Sequence, residues 1–282
     1  MTNAPPIAPA PSPWWQQQLA HLGARVIAAA HVAVGLWLLL LGAIAGAMRT
    51  LRRDDPSRRP GETWRQLHAI GNRSLVFLAV TLGFIGMVMV YQACLQLSRV
   101  TGDYSQVGAQ FIRLAVSDFA PTLAALMLAT RVGAGIAAEI GSMKVTEQLD
   151  ALMMCGVAPI DFLLSPRLVA SFIATLALSV LAAAIMWLAG GATANYSFGV
   201  NAALFFDVDQ VRSAHVLLGL TKAASYGIAI PIVSGYCGMN ATGSSQGVGK
   251  ATTAAVIGSS FAVLALDFLI STAALLVMPE QL

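Results

Sequence analysis

Six long apolar stretches, separated by short polar or glycine-containing segments, dominate the pattern along the chain. They cover residues 26–48, 75–97, 119–140, 163–188, 216–239 and 251–278. Each is long enough for a membrane-spanning helix, which needs roughly 20 mostly apolar residues. The first stretch contains His31 and three glycines, so it either crosses the membrane or lies along its surface. The pattern predicts an all-α integral membrane protein, with Gly190-Gly191 in a loop between two helices.

The composition agrees with this prediction. Hydrophobic residues make up 57% of the 282 residues, charged residues only 10%, and the mean hydropathy is +0.73. A soluble domain carries about 25% charged residues, so this chain lacks the charge to cover a water-facing surface. The length fits a single domain over residues 19–282. Residues 1–18 contain five prolines and no charged side chain, and we expect them to be disordered.

Positive charge is concentrated between the first two apolar stretches. Residues 49–73 contain seven arginines and three acidic residues, so this segment carries +4 and the rest of the chain −1. Nucleic-acid binding is one interpretation of such a block. Basic loops that flank membrane helices, however, are held on the cytoplasmic side. We therefore predict that segments 49–73, 141–161 and 240–250 are cytoplasmic, and we expect no nucleic-acid partner.

The densest polar sequence lies at the end of the third apolar stretch. Arg131 and Glu139 are eight residues apart, about 80° around a helix with 3.6 residues per turn, so both could face one polar seam. Small residues between them favour close approach of another helix. A charge at the membrane centre costs about 2.5–3.5 kcal/mol on insertion scales, which favours a functional role for both side chains. The alternative is that both lie near the headgroups.

Residues 143–154 follow directly and predict a short amphipathic helix. Its apolar positions form one stripe, made of Val145, Leu149, Leu152 and Met153. The candidate docking side chains are Lys144, Thr146, Glu147, Gln148 and Asp150. Gly156 and Pro159 end the helix. Such a helix suits docking into the groove of a soluble partner, and an ordinary interfacial loop helix fits the spacing equally well.

Four further positions carry polar side chains inside or beside the apolar stretches. Asp267 lies well inside the last stretch, and is either a contact within the helix bundle or a functional group in a cavity. Tyr91 and Gln92 lie late in the second stretch, and either touch lipid headgroups or mark the outer interface. Asp118, just before Pro121, is most simply a solvated helix start.

Enzymatic chemistry is not indicated. Gly249-Lys250 resembles part of a phosphate-binding loop, but Ser244 replaces its upstream glycine and Ala251 its serine or threonine. The four histidines lack metal-binding spacing, and the three cysteines are scattered without a CxxC pair. We expect no catalytic residue, no metal and no cofactor in this chain.

Two blocks of sequence resemble one known family, the MlaE-type permeases. The first block runs from 121 to 167 and includes Pro121, Arg131, Gly133, Ala138-Glu139, Gly141, Met143, Thr146-Glu147-Gln148, Ala151, Pro159 and Pro166-Arg167. The second block is the run 247–253, followed by Leu266-Asp267-Phe268. Thr146-Glu147-Gln148, in the first block, is the most specific element of the resemblance. The hydrophobic layout from residue 75 onward agrees, so the resemblance covers most of the chain.

The resemblance implies a homodimer with five spanning helices per protomer, an N-terminal interfacial or elbow helix, and a short cytoplasmic coupling helix. Such a permease pairs with a cytoplasmic ABC ATPase dimer, which binds ATP and magnesium. On the outer side of the bacterial inner membrane it pairs with an oligomeric MCE-domain protein. Phospholipid occupies a cavity between the protomers. Here residues 26–48 would be the elbow and 143–154 the coupling helix, while 75–97 and 251–278 would border the cavity.

The sequence departs from the family pattern at two positions. Ala158 precedes Pro159 where the family often has aspartate, and Ala254 replaces a frequent basic residue. The first change is expected to alter the end of the coupling helix.

Two other functions stay open. One is a secondary transporter or channel, which needs charged or broken helices near the midplane, where Arg131 and Asp267 are almost alone. The other is a membrane scaffold that transports nothing.

Overall fold

The computed structural model describes residues 14–51, 61–100, 104, 106–207 and 211–277. These ranges contain no strand and eight helices: α1 Trp14–Leu51, α2 Glu62–Val100, α3 Val107–Val145, α4 Gln148–Met154, α5 Ile160–Phe198, α6 Ala202–Phe205, α7 Ser213–Met239 and α8 Ser245–Val277. All except the short α4 and α6 are long and apolar enough to cross a membrane. The predicted all-helical membrane architecture is confirmed, and the division into five spans and one elbow stays a prediction.

The long helices from α2 onward run alternately in opposite directions, so the bundle has two ends. One end carries the α3–α4 turn, the start of α5 and the connection from α7 to α8. We call this the α4 end. The other carries α6 and the connection from α2 to α3, and we call it the α6 end.

α3 begins at Val107, well before the predicted start at 119, and Pro121 lies inside it. A proline inside a helix removes a backbone hydrogen bond and clashes with the carbonyl four residues earlier. The turn directly before it, Ala115–Phe119, is π-helical, with the Ala120 N–H bonded to the Ala115 carbonyl. This wider turn accommodates the proline. The helix therefore continues through Pro121, close to its predicted start.

Gly190 and Gly191 lie inside α5, so their assignment to a loop is wrong. The helix continues to Phe198 and ends at Gly199, whose φ of +64° is the left-handed conformation that glycine favours. A Cβ on Gly190 would lie 2.6 Å from Cγ2 of Val90 on α2. The glycine pair therefore allows close helix approach instead of forming a turn.

α8 packs against the bundle through one stripe of small residues. The stripe repeats every four positions and consists of Ala251, Ala255, Ser259 and Val263. Ser259 shares a 3.1 Å hydrogen bond with Ser234 of α7. Most of the remaining surface of α8 is exposed and carries large apolar side chains, including Ile257, Phe261 and Phe268. That surface suits contact with lipid or another protein chain, because a large apolar patch is rarely left facing water.

α1 is one continuous helix from Trp14, so residues 14–18 are helical and not disordered as predicted, while 1–13 lie outside the described residues. Its contacts lie at the α4 end. A Cβ on Gly42 would lie 3.6 Å from Cγ2 of Ile160, and the Ala43 carbonyl accepts a hydrogen bond from the Ser165 hydroxyl at 3.4 Å. Arg49 pairs with Asp161 at 3.2 Å. α1 is thus anchored at the start of α5.

Gly86→Ala is expected to lower the free energy of unfolding by about 1–3 kcal/mol, the usual effect of overpacking. The new Cβ would lie 2.6 Å from the Met186 carbonyl oxygen at the α2–α5 contact, and backbone atoms there have little room to move. Gly71→Ala on the same helix is the control, because no atom lies within 4 Å of its Cβ position. Denaturant unfolding in detergent measures both, and equal stability of the two variants would contradict the packing described here.

Candidate functional site

The polar residues predicted to share one helix over 143–154 are divided between two. α3 ends at Val145 and α4 begins at Gln148. The Thr146 hydroxyl donates to the Ser142 carbonyl at 2.8 Å, which satisfies an acceptor at the end of α3. Glu147 has a φ of +59°, in the left-handed region that often ends a helix. The single-helix prediction is wrong because α3 is terminated before the apolar stripe can continue.

The predicted docking side chains nevertheless surround this turn. Lys144 Nζ lies 3.2 Å from Asp150 Oδ1, so an ion pair bridges α3 and α4. Gln148 opens α4 and lines a cavity between α2, α4 and α5. Leu149 is buried against the bundle, whereas Met154 is 91% exposed. α4 is therefore held to the bundle along one side and presents its other side outward.

Arg131 lies at the edge of the apolar part of the bundle. Its Nη1 donates to the Ser74 hydroxyl at 2.8 Å, and Ser74 is the residue directly before the second apolar stretch. The contact therefore places Arg131 level with the beginning of that stretch. A charge at this depth costs less than one at the membrane centre, because its head lies close to the interface.

Glu139 contacts a different helix. Its Oε2 accepts a hydrogen bond from Arg167 Nη2 of α5 at 2.5 Å. Arg167 is only 6% exposed, and its Nη1 has no hydrogen-bond partner among the described residues. Arg131 and Glu139 thus bind α2 and α5 respectively, and do not form the single polar seam that their spacing suggested.

Asp267 belongs to a charged cluster that joins three helices. Its Oδ1 accepts hydrogen bonds from Lys222 Nζ (2.8 Å) and the Tyr226 hydroxyl (2.8 Å), both on α7. It also accepts one from the Thr122 hydroxyl of α3 at 3.0 Å. Lys222 is fully buried and also pairs with Asp118 of α3. One cation therefore binds carboxylates of α3 and α8, and fixes both helices to α7.

This cluster lies deep in the apolar part of the bundle. Asp118 precedes Arg131 by 13 residues on α3, which is about 20 Å along a helix. With Arg131 near the boundary of a hydrocarbon core about 30 Å thick, the cluster lies about 5 Å beyond the midplane, towards the α6 end, and is called the mid-depth cluster. Asp118 is thus paired with a buried cation and is not a solvated helix start. The expectation that charge at this depth is almost confined to Arg131 and Asp267 is also wrong.

The sequence interpretation overlooked Lys222 and the pairing of Arg167. Lys222 had a visible signal, since it is a lysine inside the apolar stretch 216–239, where a charge marks a site by default. Arg167 had no comparable signal. It stands near the beginning of its stretch, where a solvated arginine is ordinary, and only the tertiary packing around the start of α5 buries it.

Tyr91 and Gln92 lie apart from these charged groups, in the half of α2 nearer the α6 end. The Tyr91 ring packs against Phe198 at the end of α5, with centroids 5.4 Å apart. Gln92 is exposed. Tyr91 and the exposed Tyr196 line a shallow depression of about 440 Å³. Both residues lie on the surface of α2, and their role as lipid contacts stays a prediction.

Known proteins resemble this chain over most of its length. The family described as Permease MlaE matches residues 63–273. A probable ABC transporter permease protein of Rickettsia conorii is 37% identical over 210 residues, which cover 73% of this chain and 80% of that protein. The intermembrane phospholipid transport system permease protein MlaE of Haemophilus influenzae is 33% identical, over 73% and 80% of the two chains. The chloroplastic protein TRIGALACTOSYLDIACYLGLYCEROL 1 of Arabidopsis thaliana is 28% identical, over 74% and 60%.

Lys222→Met is expected to lower the free energy of unfolding by about 3–5 kcal/mol, because two carboxylates lose their buried cation. Lys250→Met removes an exposed lysine at the start of α8 and should change stability by less than about 0.5 kcal/mol. Adding Asp118→Asn and Asp267→Asn to Lys222→Met should recover much of the loss, since no uncompensated charge remains. Unfolding in detergent checks this, and equal effects of the two lysine variants would contradict it.

Proposed function

Because the chain belongs to the MlaE permease family, we propose that it is the membrane subunit of an ABC transporter that moves phospholipid, powered by ATP hydrolysis on another chain. The proposed partners are a second copy of this chain, a cytoplasmic ABC ATPase dimer that binds ATP and magnesium, and an MCE-domain oligomer. The proposed location is the bacterial inner membrane, with the α4 end in the cytoplasm. The name of the H. influenzae relative supports phospholipid as the substrate.

The outward side of α4 is the observation that carries this proposal. Met153 and Met154 are exposed there, while Leu149 and the Lys144–Asp150 pair hold α4 to the bundle. Apolar side chains on a short, anchored helix suit the groove of a soluble partner. The turn between α3 and α4 has only two residues, so a movement of α4 passes directly to α3. This favours α4 as the coupling helix.

α3 makes polar contacts with the helices around it. Towards the α4 end, Glu139 pairs with Arg167 of α5. At mid-depth Asp118 binds Lys222 of α7, which also binds Asp267 of α8. These contacts support a mechanism in which ATP-driven closure of the partner displaces α4, and α3 carries the displacement into the bundle.

The side of the bundle formed by α2, α3 and α8 supports a lipid cavity between two copies. α3 packs against both α2 and α8, so these two helices flank it on that side of the bundle. The exposed positions of α3 there are small or polar, namely Thr130, Arg131, Gly135, Glu139 and Ser142. Large apolar side chains of α8 flank them, and an acyl chain gains about 0.8 kcal/mol per buried methylene in such surroundings. Lipid therefore binds without many polar contacts, and external work is needed to release it.

The contacts of α1 favour the elbow over a sixth spanning helix. Along the apolar part of α1, Gly35 faces Tyr236 near the end of α7, Gly42 faces Ile160, and Arg49 pairs with Asp161. All three partners lie at the α4 end. A helix that crossed the membrane beside the bundle would contact neighbours at both ends, so we propose that α1 lies along the membrane surface.

A secondary transporter is the second candidate, and the mid-depth cluster of Asp118, Lys222 and Asp267 is the observation that favours it. Transporters of that class bind substrate and coupling ion near the midplane. The two functions differ in energy source. Lipid transfer between vesicles that requires ATP and an ATPase subunit supports the first, and transfer driven by an ion gradient without ATPase supports the second.

Glu147→Arg is expected to reduce the amount of co-purified ATPase, and ATP-dependent lipid transfer in proteoliposomes, by about tenfold, which corresponds to 1.4 kcal/mol of docking free energy. Glu147 is exposed on the α3–α4 turn and makes no side-chain cap hydrogen bond, so the fold should survive. Arg99→Glu reverses an exposed charge near the α6 end and is the matched control for ATPase binding. If co-purification and transfer both survive Glu147→Arg, α4 is not the coupling helix.

Gly135→Trp is expected to convert the dimer into a monomer. Gly135 lies on the exposed side of α3, and no atom lies within 4 Å of its Cβ position, so a single chain accommodates the indole while a facing second copy does not. Val180→Trp on the exposed surface of α5 is the control. Light scattering in detergent gives the mass of each variant. A dimer that persists in Gly135→Trp would place the interface elsewhere.

A further inference from the structure

A cavity of about 910 Å³ opens at the α4 end, between the start of α2, the α4 helix and the start of α5. Its volume is near the top of the range of about 300–1,000 Å³ found for ligand sites. The proposed lipid cavity lies between protomers on the side of α2, α3 and α8. This second cavity lies mainly between α2 and α5, and has no role in the mechanism above.

The cavity is lined by both apolar and polar side chains. Ile173 lies at one end, Glu62 and Gln148 lie at the other, and Leu67 lies between them. Ile173 is 44% exposed on the side of the bundle, so the cavity opens towards the membrane. α2 and α5 run parallel, with Gly86 beside Met186. Residues near 173 therefore lie level with the start of the apolar stretch of α2, at the edge of the hydrocarbon.

Arg167 lies about 9 Å further out along α5, six residues from Ile173. The headgroup layer of one leaflet is about 5–7 Å thick, so the cavity spans it. Arg167 lines the cavity, is 6% exposed, and uses Nη2 on Glu139 while Nη1 has no partner among the described residues. Phosphate and ester oxygens are the acceptors that a guanidinium binds best. Nη1 is covered, so the guanidinium must turn to present it.

The charges around the cavity balance. Glu62 pairs with Arg65 and Glu139 pairs with Arg167. The third acid, Asp161, pairs with an arginine of α1. A free anion therefore gains little attraction from the site as a whole. A ligand with both a phosphate and an apolar part uses the unpaired N–H and the apolar walls together.

We propose that this cavity binds a phospholipid of the leaflet at the α4 end, with its phosphate towards Arg167 and an acyl chain past Ile173 into the membrane. It would be a loading site that holds lipid before the cavity between protomers receives it. This inference rests on the proposed function only for the choice of phospholipid as the transported molecule.

The reactivity of Cys155 can measure whether lipid occupies the cavity, because this cysteine lines the cavity and is exposed. Cys94 is buried and Cys237 is partly buried. The rate of reaction of Cys155 with a maleimide, followed by mass spectrometry on the purified chain in detergent, reports occupancy. With phosphatidylethanolamine in the micelles at about ten times its Kd, we expect labelling to slow about tenfold. Inorganic phosphate should not slow it, and diacylglycerol, which lacks phosphate, should slow it much less.

Two variants test the contacts separately. Arg167→Gln removes the cation while its amide can still donate to Glu139, and should abolish protection by phospholipid. Ala151→Phe fills the cavity from α4 without touching that pair, and should also abolish it. Lys250→Gln is the control, since this exposed lysine at the start of α8 does not line the cavity. The ratio of rates with and without lipid is compared within each variant.

Several results would overturn the proposal. Protection by inorganic phosphate alone would mean a site for soluble anions, and equal protection by diacylglycerol would mean an apolar groove only. Unchanged labelling with phospholipid, or protection that persists in Arg167→Gln, would also reject it. The assay contains no ATPase and measures no transport, so its failure leaves the proposed function standing. Loss of ATP-dependent transfer with protection intact would reject the function and keep the site.

Discussion

Lys222 is a cation near the middle of the membrane with no exposed surface, and the packing of three helices follows from its neutralisation. In hydrocarbon, water cannot satisfy a charge, so the partners must come from the protein. α3 supplies Asp118 and α8 supplies Asp267, whose same oxygen also accepts the hydroxyls of Tyr226 and Thr122. Electrostatics at mid-depth and the small residues of α8 therefore fix the same arrangement of α3, α7 and α8.

The other polar contacts are distributed by depth. Arg131 meets Ser74 at the hydrocarbon edge, and the Glu139–Arg167 pair lies further towards the α4 end. The ion pair between α3 and α4 lies at the very end of the bundle. α3 takes part at every level, so it is the element best placed to carry movement between α4 and the interior. Arg167 is the exception among these groups, because one of its buried donors lacks a partner among the described residues. That donor is the reason the neighbouring cavity is interpreted as a binding site.

The sequence predicts the structure best where a single physical effect determines the local conformation. Stretches of more than 20 apolar residues have few stable alternatives to a membrane helix, so the first five predicted segments, and the sixth as far as Val277, lie within helices of the structure. The resemblance to one family, whose most specific element is Thr146-Glu147-Gln148, is also confirmed, although this motif lies at the junction of α3 and α4 and not inside one helix. The boundaries were less accurate. Pro121, near the predicted start of α3, and the pair Gly190-Gly191, assigned to a loop, all lie inside helices.

Those errors share one physical reason. Glycine permits a turn and also permits close helix contact, and proline starts a helix or is accommodated by a π-helical turn. The sequence alone therefore determined that this is a multi-helix membrane protein of recognisable family, with polar residues concentrated near 131–150. Only the tertiary structure decided which charges pair. Lys222 and Asp267 are 45 residues apart and Glu139 and Arg167 are 28 apart, and no local pattern encodes a distance that helix packing alone closes.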